Sequence, residues 1–228
     1  MSRRWLRLQL AAPLMSFGAV AVDQIGPTWR WPGRSMLSGM IGNALGWDWT
    51  DRVVHQSLQD RLIVASALIE EGEIVTDTQN AQLAKNDKGW TTRGHSEGRT
   101  GASYGAPHRR QRDFLADADV TVVMTLVPPD LAPSLDDIHA ALLRPTRPLF
   151  IGRKPCLPSR PLVGCTDDFV EAVDAHAALR AAVVASGIRA WWPEDEGPAG
   201  LRALDVNDLR NWDSGLHGGT RRVNEGQL

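Results

Sequence analysis

Several things are scarce in this chain. Among 228 residues there are two cysteines, one tyrosine and no apolar run long enough to cross a membrane as a helix. Cys156 and Cys165 have neither a second cysteine pair nor a histidine-rich neighbourhood, so a zinc centre is excluded and a reduced, cytoplasmic protein is expected. A formal net charge of −2 does not announce a nucleic-acid partner. There is no P-loop, no GxGxxG, no HExxH, no paired-carboxylate metal signature and no internal repeat.

What is present is unevenly spread. A hydrophobic content of 43% with 23% charged residues is that of a globular chain, long enough for one large domain or two small ones. Acidic residues crowd into Glu70–Glu73, Asp167–Asp174 and Glu194–Glu196. From Ile138 to Thr166 there is none, yet Arg144, Arg147, Arg153, Lys154 and Arg160 all fall there. A second basic stretch, Arg93 to Arg112, carries five arginines and two histidines against Glu97. Nine tryptophans occur, and Trp29, Trp31, Trp47 and Trp49 cluster near Arg30 and Arg34, as core packing or as a stacking surface. Arg3, Arg4 and Arg7 before "LQLAAPLMSFGAVAV" imitate a signal peptide, but Arg7 and Gln9 alternate with Leu6, Leu8 and Leu10 in the rhythm of a strand.

Read along the chain, residues 4 to 11 form a half-buried strand. Apolar residues at Met36, Leu37, Met40, Ile41, Ala44 and Leu45 predict a helix over Arg34 to Leu45, with Gly46 at its C-cap. A short helix over Arg52 to Gln59, a strand "LIVASALI", a turn "EEGE" and a strand "IVTDTQ" follow. Residues 78 to 112 are polar, glycine-rich and without apolar period, which predicts an excursion from the core. "ADVTVVMTLV" is a strand, "SLDDIHAALL" a helix with a Ser134–Asp137 capping box, and "PLFIG" the next strand. This order is the βαββαβ unit of ferredoxin-like folds and fits an RRM-like domain, so the expected class is α+β. Residues 1–165 form that domain. From 166 to 228 the chain reads as helical and then rich in Pro, Gly and Trp, a small second lobe or an irregular extension.

Three segments are candidates for anion recognition. The helix start at Arg34 and Ser35 offers backbone N–H groups and a guanidinium to a phosphate; alternatively Ser35 caps the helix and Arg34 is solvated. "HRRQR", His108 to Arg112, is an RNA clamp or a solvated charged loop. "IGRKPC" carries Gly152, Arg153 and Lys154 with the same ambiguity. His95, His108, Tyr104, Lys85 and Lys88 are residue types that metal-free RNA cleavage uses, but no spacing enforces their meeting. His55, His139 and His176 fall on helical stretches and read as packing residues.

Taken together, "APLMSFG", "WPGRSMLSGMIGNALGW", "RDFLADADVTVV" and "RPLFIGRKPCLPSRPL" resemble, in order and spacing, the CasD subunits of type I-E Cascade, RAMP-superfamily proteins of CRISPR interference complexes. The resemblance covers most of residues 5 to 165; beyond 166 only "HGG" near the end is similar. It implies an RRM-like domain whose insertion, 78–112, is a thumb hairpin, and a non-catalytic role holding the 5′ handle of the CRISPR RNA (crRNA) and capping the backbone filament in antiviral defence. The matching positions are Ser16, Phe17 and Gly18, Arg34 and Ser35, and Gly152, Arg153 and Lys154. Arg30, Arg93, His108, Arg109, Arg110 and Arg112 are further RNA-binding candidates. The implied partners are crRNA, the backbone and large subunits of the complex and, through it, target DNA; no membrane, metal or cofactor is implied. Pro155 and Gly33 depart from the family pattern, each standing where a hydroxyl residue is usual. The rival expectation is a metal-independent crRNA-processing endoribonuclease, as in the related type I-C subunit, and it hangs on Tyr104.

Overall fold

The computed structural model describes residues 2–82, 88–90, 96–98, 107–164 and 167–228. Arg93, His95, Tyr104, Lys85 and Cys165 lie outside them. In chain order the elements are β1 (Arg3–Ala11), β2 (Leu14–Met15), β3 (Ile25–Gly26), α1 (Arg34–Leu45), α2 (Arg52–Arg61), β4 (Leu62–Glu70) and β5 (Glu73–Ala81). Then come β6 (Lys88–Trp90), β7 (Ser96–Gly98), β8 (His108–Ala116), β9 (Asp119–Leu126) and α3 (Leu135–Leu143). The chain closes with β10 (Phe169–Ala172), α4 (Ala175–Ala182), β11 (Arg189–Pro193), β12 (Arg202–Arg210) and β13 (His217–Gln227).

The frame is a sheet in the order β10–β1–β9–β4–β11–β13–β12, every neighbouring pair antiparallel. Alternation along β1 explains its two faces. Leu6, Leu8 and Leu10 point into a core shared with Leu37 and Ile41 of α1, Leu58 of α2 and Ile138 and Leu142 of α3. Trp5 points the other way, into a second cluster with Ala175, Ala178 and Leu179 of α4. Helices therefore cover both faces of the sheet.

Local signals hold where the sequence was explicit. The C-cap Gly46 of α1 adopts φ 82°, the left-handed region open to glycine. At α3 the Asp137 N–H donates to Ser134 Oγ (3.1 Å) while the Asp137 carboxylate accepts from the Ser134 N–H (2.9 Å). Two expectations fail. "PLFIG" is not a strand, because its polar backbone is used by loops: the Ile151 N–H donates to Cys156 O (2.7 Å) and its carbonyl accepts from the Ser16 N–H (3.1 Å). The strand beside β1 is instead β10, where a helix was expected; α4 begins only after Asp174, whose side chain accepts from the Ala177 N–H (2.7 Å). Residues after 166 add β10 to one edge of the sheet and β11, β13 and β12 to the other.

β5 and β8 form a long ribbon, from Glu73 opposite Ala116 to Ala81 opposite His108. Every residue of β5 is exposed and, among the described residues, β5 pairs only with β8, so "IVTDTQ" is not a strand of the main sheet and the chain leaves the core at Glu73, before the excursion expected from residue 78. β2 and β3 pair with the other edge of β8 and tie the ribbon's base to the loop after β1.

The C-terminal strands are stapled by buried Glu225, which accepts from Arg189 Nε (2.6 Å) and Arg202 Nε (2.7 Å). Burial alone pushes this carboxyl up, but the two arginine hydrogen bonds outweigh it and hold it below its ordinary value. A carboxyl depressed in the folded state contributes stability that is present above the unfolded value, about 4.3, and is lost as pH falls through the lower folded value. Glu225→Gln is therefore expected to lower Tm most above about pH 5. The gap to the parent protein should shrink as pH falls below about 4.3 and through the lower folded value. A gap independent of pH would show that Glu225 acts through packing alone.

Candidate nucleic-acid interface

The start of α1 is built differently from the sequence expectation. Gly33 is the N-cap and has no side chain to offer, and Ser35 is not a cap. The cap comes from β12: the Arg34 N–H donates to Asp208 Oδ2 at 2.9 Å. Arg221 on β13 holds the same carboxylate with two bonds, Nε to Oδ1 (2.8 Å) and Nη2 to Oδ2 (2.7 Å). A Cβ at position 33 would lie 3.1 Å from Asp208 Cβ, so glycine makes room for a cap delivered from 174 residues away. One N–H that the sequence assigned to a phosphate is thus committed to a carboxylate. The Arg34 guanidinium has no hydrogen bond or ion pair among the described residues. Burial first, and then the neighbouring charge of Arg221, lower its pKa to about 10. It lines a cleft of about 320 Å³ with Glu194, Asp195 and Arg222, apart from Ser35.

The "SFG" and "GRK" segments meet. Gly152 has φ 91°, and a Cβ there would fall 1.6 Å from Ser16 O, so only glycine allows the two loops to cross. Ser16 and Phe17 are buried, and the Phe17 N–H donates to Thr28 Oγ1 (2.9 Å). Arg153 donates to Asp113 O (3.0 Å) and Gly26 O (3.1 Å) and lies 4.9 Å from the Phe114 ring centre. Burial, then the neighbouring Arg112, lower its pKa. The guanidinium therefore stitches the ribbon base to the loop before α1. Lys154, beside it, is exposed and has no acidic partner among the described residues.

Two clefts open over the start of α1. One, of about 390 Å³, is lined by Phe17, Gly18, Gly33 and Ser35 and by residues 207–210 and 215–217. The other, of about 490 Å³, runs past Ser35 to Trp47, Trp49, Arg147 and Gly152. Ser35 and Arg210 line both, so the clefts meet there. Gln59 on α2 clamps the Arg210 backbone, accepting from its N–H (3.1 Å) and donating to its carbonyl (2.8 Å). The Arg210 guanidinium lies over the Trp212 ring, 4.9 Å from its centre, and has no carboxylate partner among the described residues. A cation held in place over an aromatic face, without a counter-charge, is prepared for an external anion.

The remaining sequence candidates lie around this region. His108, Arg109 and Arg110 are exposed on the outer half of β8, with Arg110 donating to Asp23 O (3.1 Å). Arg112 is half-buried next to Gly26 and Arg153. Arg30 is turned to the β4–β5 turn, donating to Glu71 O (3.1 Å) and pairing with its carboxylate (3.5 Å). Arg93 falls outside the described residues. Sequence reasoning missed Arg210, Trp212 and His217 as groove residues. The one signal was "HGG", 217–219, at whose first residue the groove wall ends.

The family "CRISPR-associated protein (Cas5)" matches residues 5–224. The CRISPR system Cascade subunit CasD of Escherichia coli (strain K12) is 28% identical over 160 residues, 70% of each chain. A chain of a solved CRISPR RNA-guided surveillance complex superposes with a TM-score of 0.69 at 22% identity, covering 98% of this chain and 90% of that one. A crystal structure of a Cas protein gives 0.63 at 23% identity, covering 98% and 94%.

Proposed function

The chain belongs to the CRISPR-associated protein Cas5 family, and from that premise we propose that it is a non-catalytic, crRNA-binding subunit of a Cascade-type complex. It grips the 5′ handle of the crRNA and caps the backbone filament. The observation that carries this reading is the groove over the start of α1, which Arg210 lines with Gly18, Ser35 and Gly152 and where it has no counter-charge among the described residues. Glycines there let a sugar–phosphate chain come close to protein backbone, and cations spread over several loops contact phosphates rather than reading sequence. The order β10–β1–β9–β4, with α1 and α2 in one connection and α3 in the other, supports a ferredoxin-like, RRM-like core. The β5–β8 ribbon is the base of the thumb, its basic residues His108 to Arg112 turned to RNA or to an adjoining backbone subunit.

The test is the salt dependence of binding to a repeat-derived RNA. Lys154→Glu should weaken binding and reduce the slope of log K against log salt by roughly one. Arg153→Glu should instead lower thermal stability, because its bonds go to Asp113 O and Gly26 O. An unchanged slope for Lys154→Glu would remove this loop from the interface.

A further inference from the structure

A phosphate-gripping groove has no need of the aromatic wall found in the wider cleft. Trp47 lies edge-on to His55, with ring centres 5.2 Å apart and planes at 75°. His55 in turn stacks on Trp212 at 4.5 Å and 24°. Gln56 and Gln59 fix Trp212, accepting from its backbone N–H (3.1 Å) and its indole N–H (3.2 Å). At the same cleft Trp49 stands 78% exposed. Arg147 is held by Trp47 O (2.6 Å) and Asp48 (2.9 Å), while Arg210, seated on Trp212, has no carboxylate partner among the described residues. The cavity, about 490 Å³, is the size of a small-molecule site.

An exposed indole lining the same cleft as a guanidinium seated on Trp212 is a combination that suits a nucleotide: the π-face takes the base and the cation takes its phosphate. The walls around Trp49 are apolar at Met36, Met40, Trp47 and Phe150 and cationic at Arg147 and Arg210, and an apolar floor beside a cation without a carboxylate partner suits the face of a base and its phosphate. We propose that this cleft receives one splayed nucleobase of the bound RNA, stacked on Trp49, with the adjoining phosphate on Arg210. The strand then continues across Ser35 into the narrower cleft, whose lining at Gly18, Gly33 and Gly215 suits backbone rather than bases. The inference rests on the RNA-binding reading above and adds a base-specific site to it.

A double-mutant cycle tests it. The full chain and its Trp49→Ala variant are titrated with repeat-derived RNA and with a series in which each handle nucleotide in turn is made abasic. Because Trp49 is so exposed, the variant should keep the parent's circular dichroism and Tm. Trp49→Ala should weaken binding of intact RNA about tenfold. At one position the abasic RNA should bind the parent about tenfold more weakly and lose nothing further in the variant. All other positions should be additive. Additivity throughout, with parent binding intact, would overturn the base site and leave the RNA-binding function standing. Unchanged RNA affinity with weakened subunit assembly would also overturn it, by assigning Trp49 to a protein contact. Failure of the parent to bind any of these RNAs would remove both readings.

Discussion

Trp191→Ala is expected to cost about 3–5 kcal/mol, a large fraction of the stability of an ordinary domain. Trp191 is 1% exposed and lies on β11 between β4 and β13, opposite Ser66 and Glu225. Its ring stacks on Trp31 (4.8 Å, 24°), which stacks on Trp29 (4.8 Å, 27°). Truncation would leave a cavity where the C-terminal strands join the rest of the sheet, and would unseat the loop leading into α1. The indole N–H of Trp191 has no hydrogen-bond partner among the described residues, so Trp191→Phe loses shape but no hydrogen bond and should cost much less. Denaturant unfolding measures both. A Trp191→Ala protein that unfolds at the parent's midpoint would mean that the aromatic stack contributes nothing to joining these strands.

Asp208→Ala should be comparably severe, about 3–5 kcal/mol, because the carboxylate side chain is 4% exposed and its removal strands the Arg221 guanidinium, itself 12% exposed. The Asp208→Ala/Arg221→Ala double variant should lose less than the sum of the two single ones. There is also a functional consequence. Removing a negative charge beside the groove would by itself favour an anionic ligand. Yet Asp208 pins β12 to α1 and so sets the wall that Asn207, Leu209 and Arg210 present. RNA affinity should therefore fall in Asp208→Ala despite the gained charge, and an increase would show that the wall does not depend on this clamp.

What could be read from the sequence follows the range of the forces involved. The helix at Arg34–Leu45 and the capping box at Ser134 are set by neighbours within four residues, and both are where the pattern put them. "DFVEA" was misread because acids interleaved with apolar residues suit a helix and an edge strand alike; pairing with β1 decides, and that partner is more than 160 residues away. "PLFIG" was misread for the mirror reason: a good strand composition whose backbone groups are taken by Cys156 and Ser16. At the site, Arg153 looked like a free cation because its partners are backbone carbonyls, which leave no trace in composition. Arg210 looked like one charge in an irregular tail. Its placement depends on Gln59 and Trp212, a contact across 151 residues that no local pattern reports.

The central claim is that the groove holds RNA and does not cut it. The most direct measurement titrates the purified chain with end-labelled repeat RNA in EDTA, following both affinity and RNA length. Salt-dependent binding that is confined to RNA containing the 5′ handle and leaves it at full length is the predicted result. Cleavage at the handle boundary in EDTA would contradict the claim and make the chain a metal-independent endoribonuclease, and equal affinity for RNA lacking the handle would contradict the assigned grip.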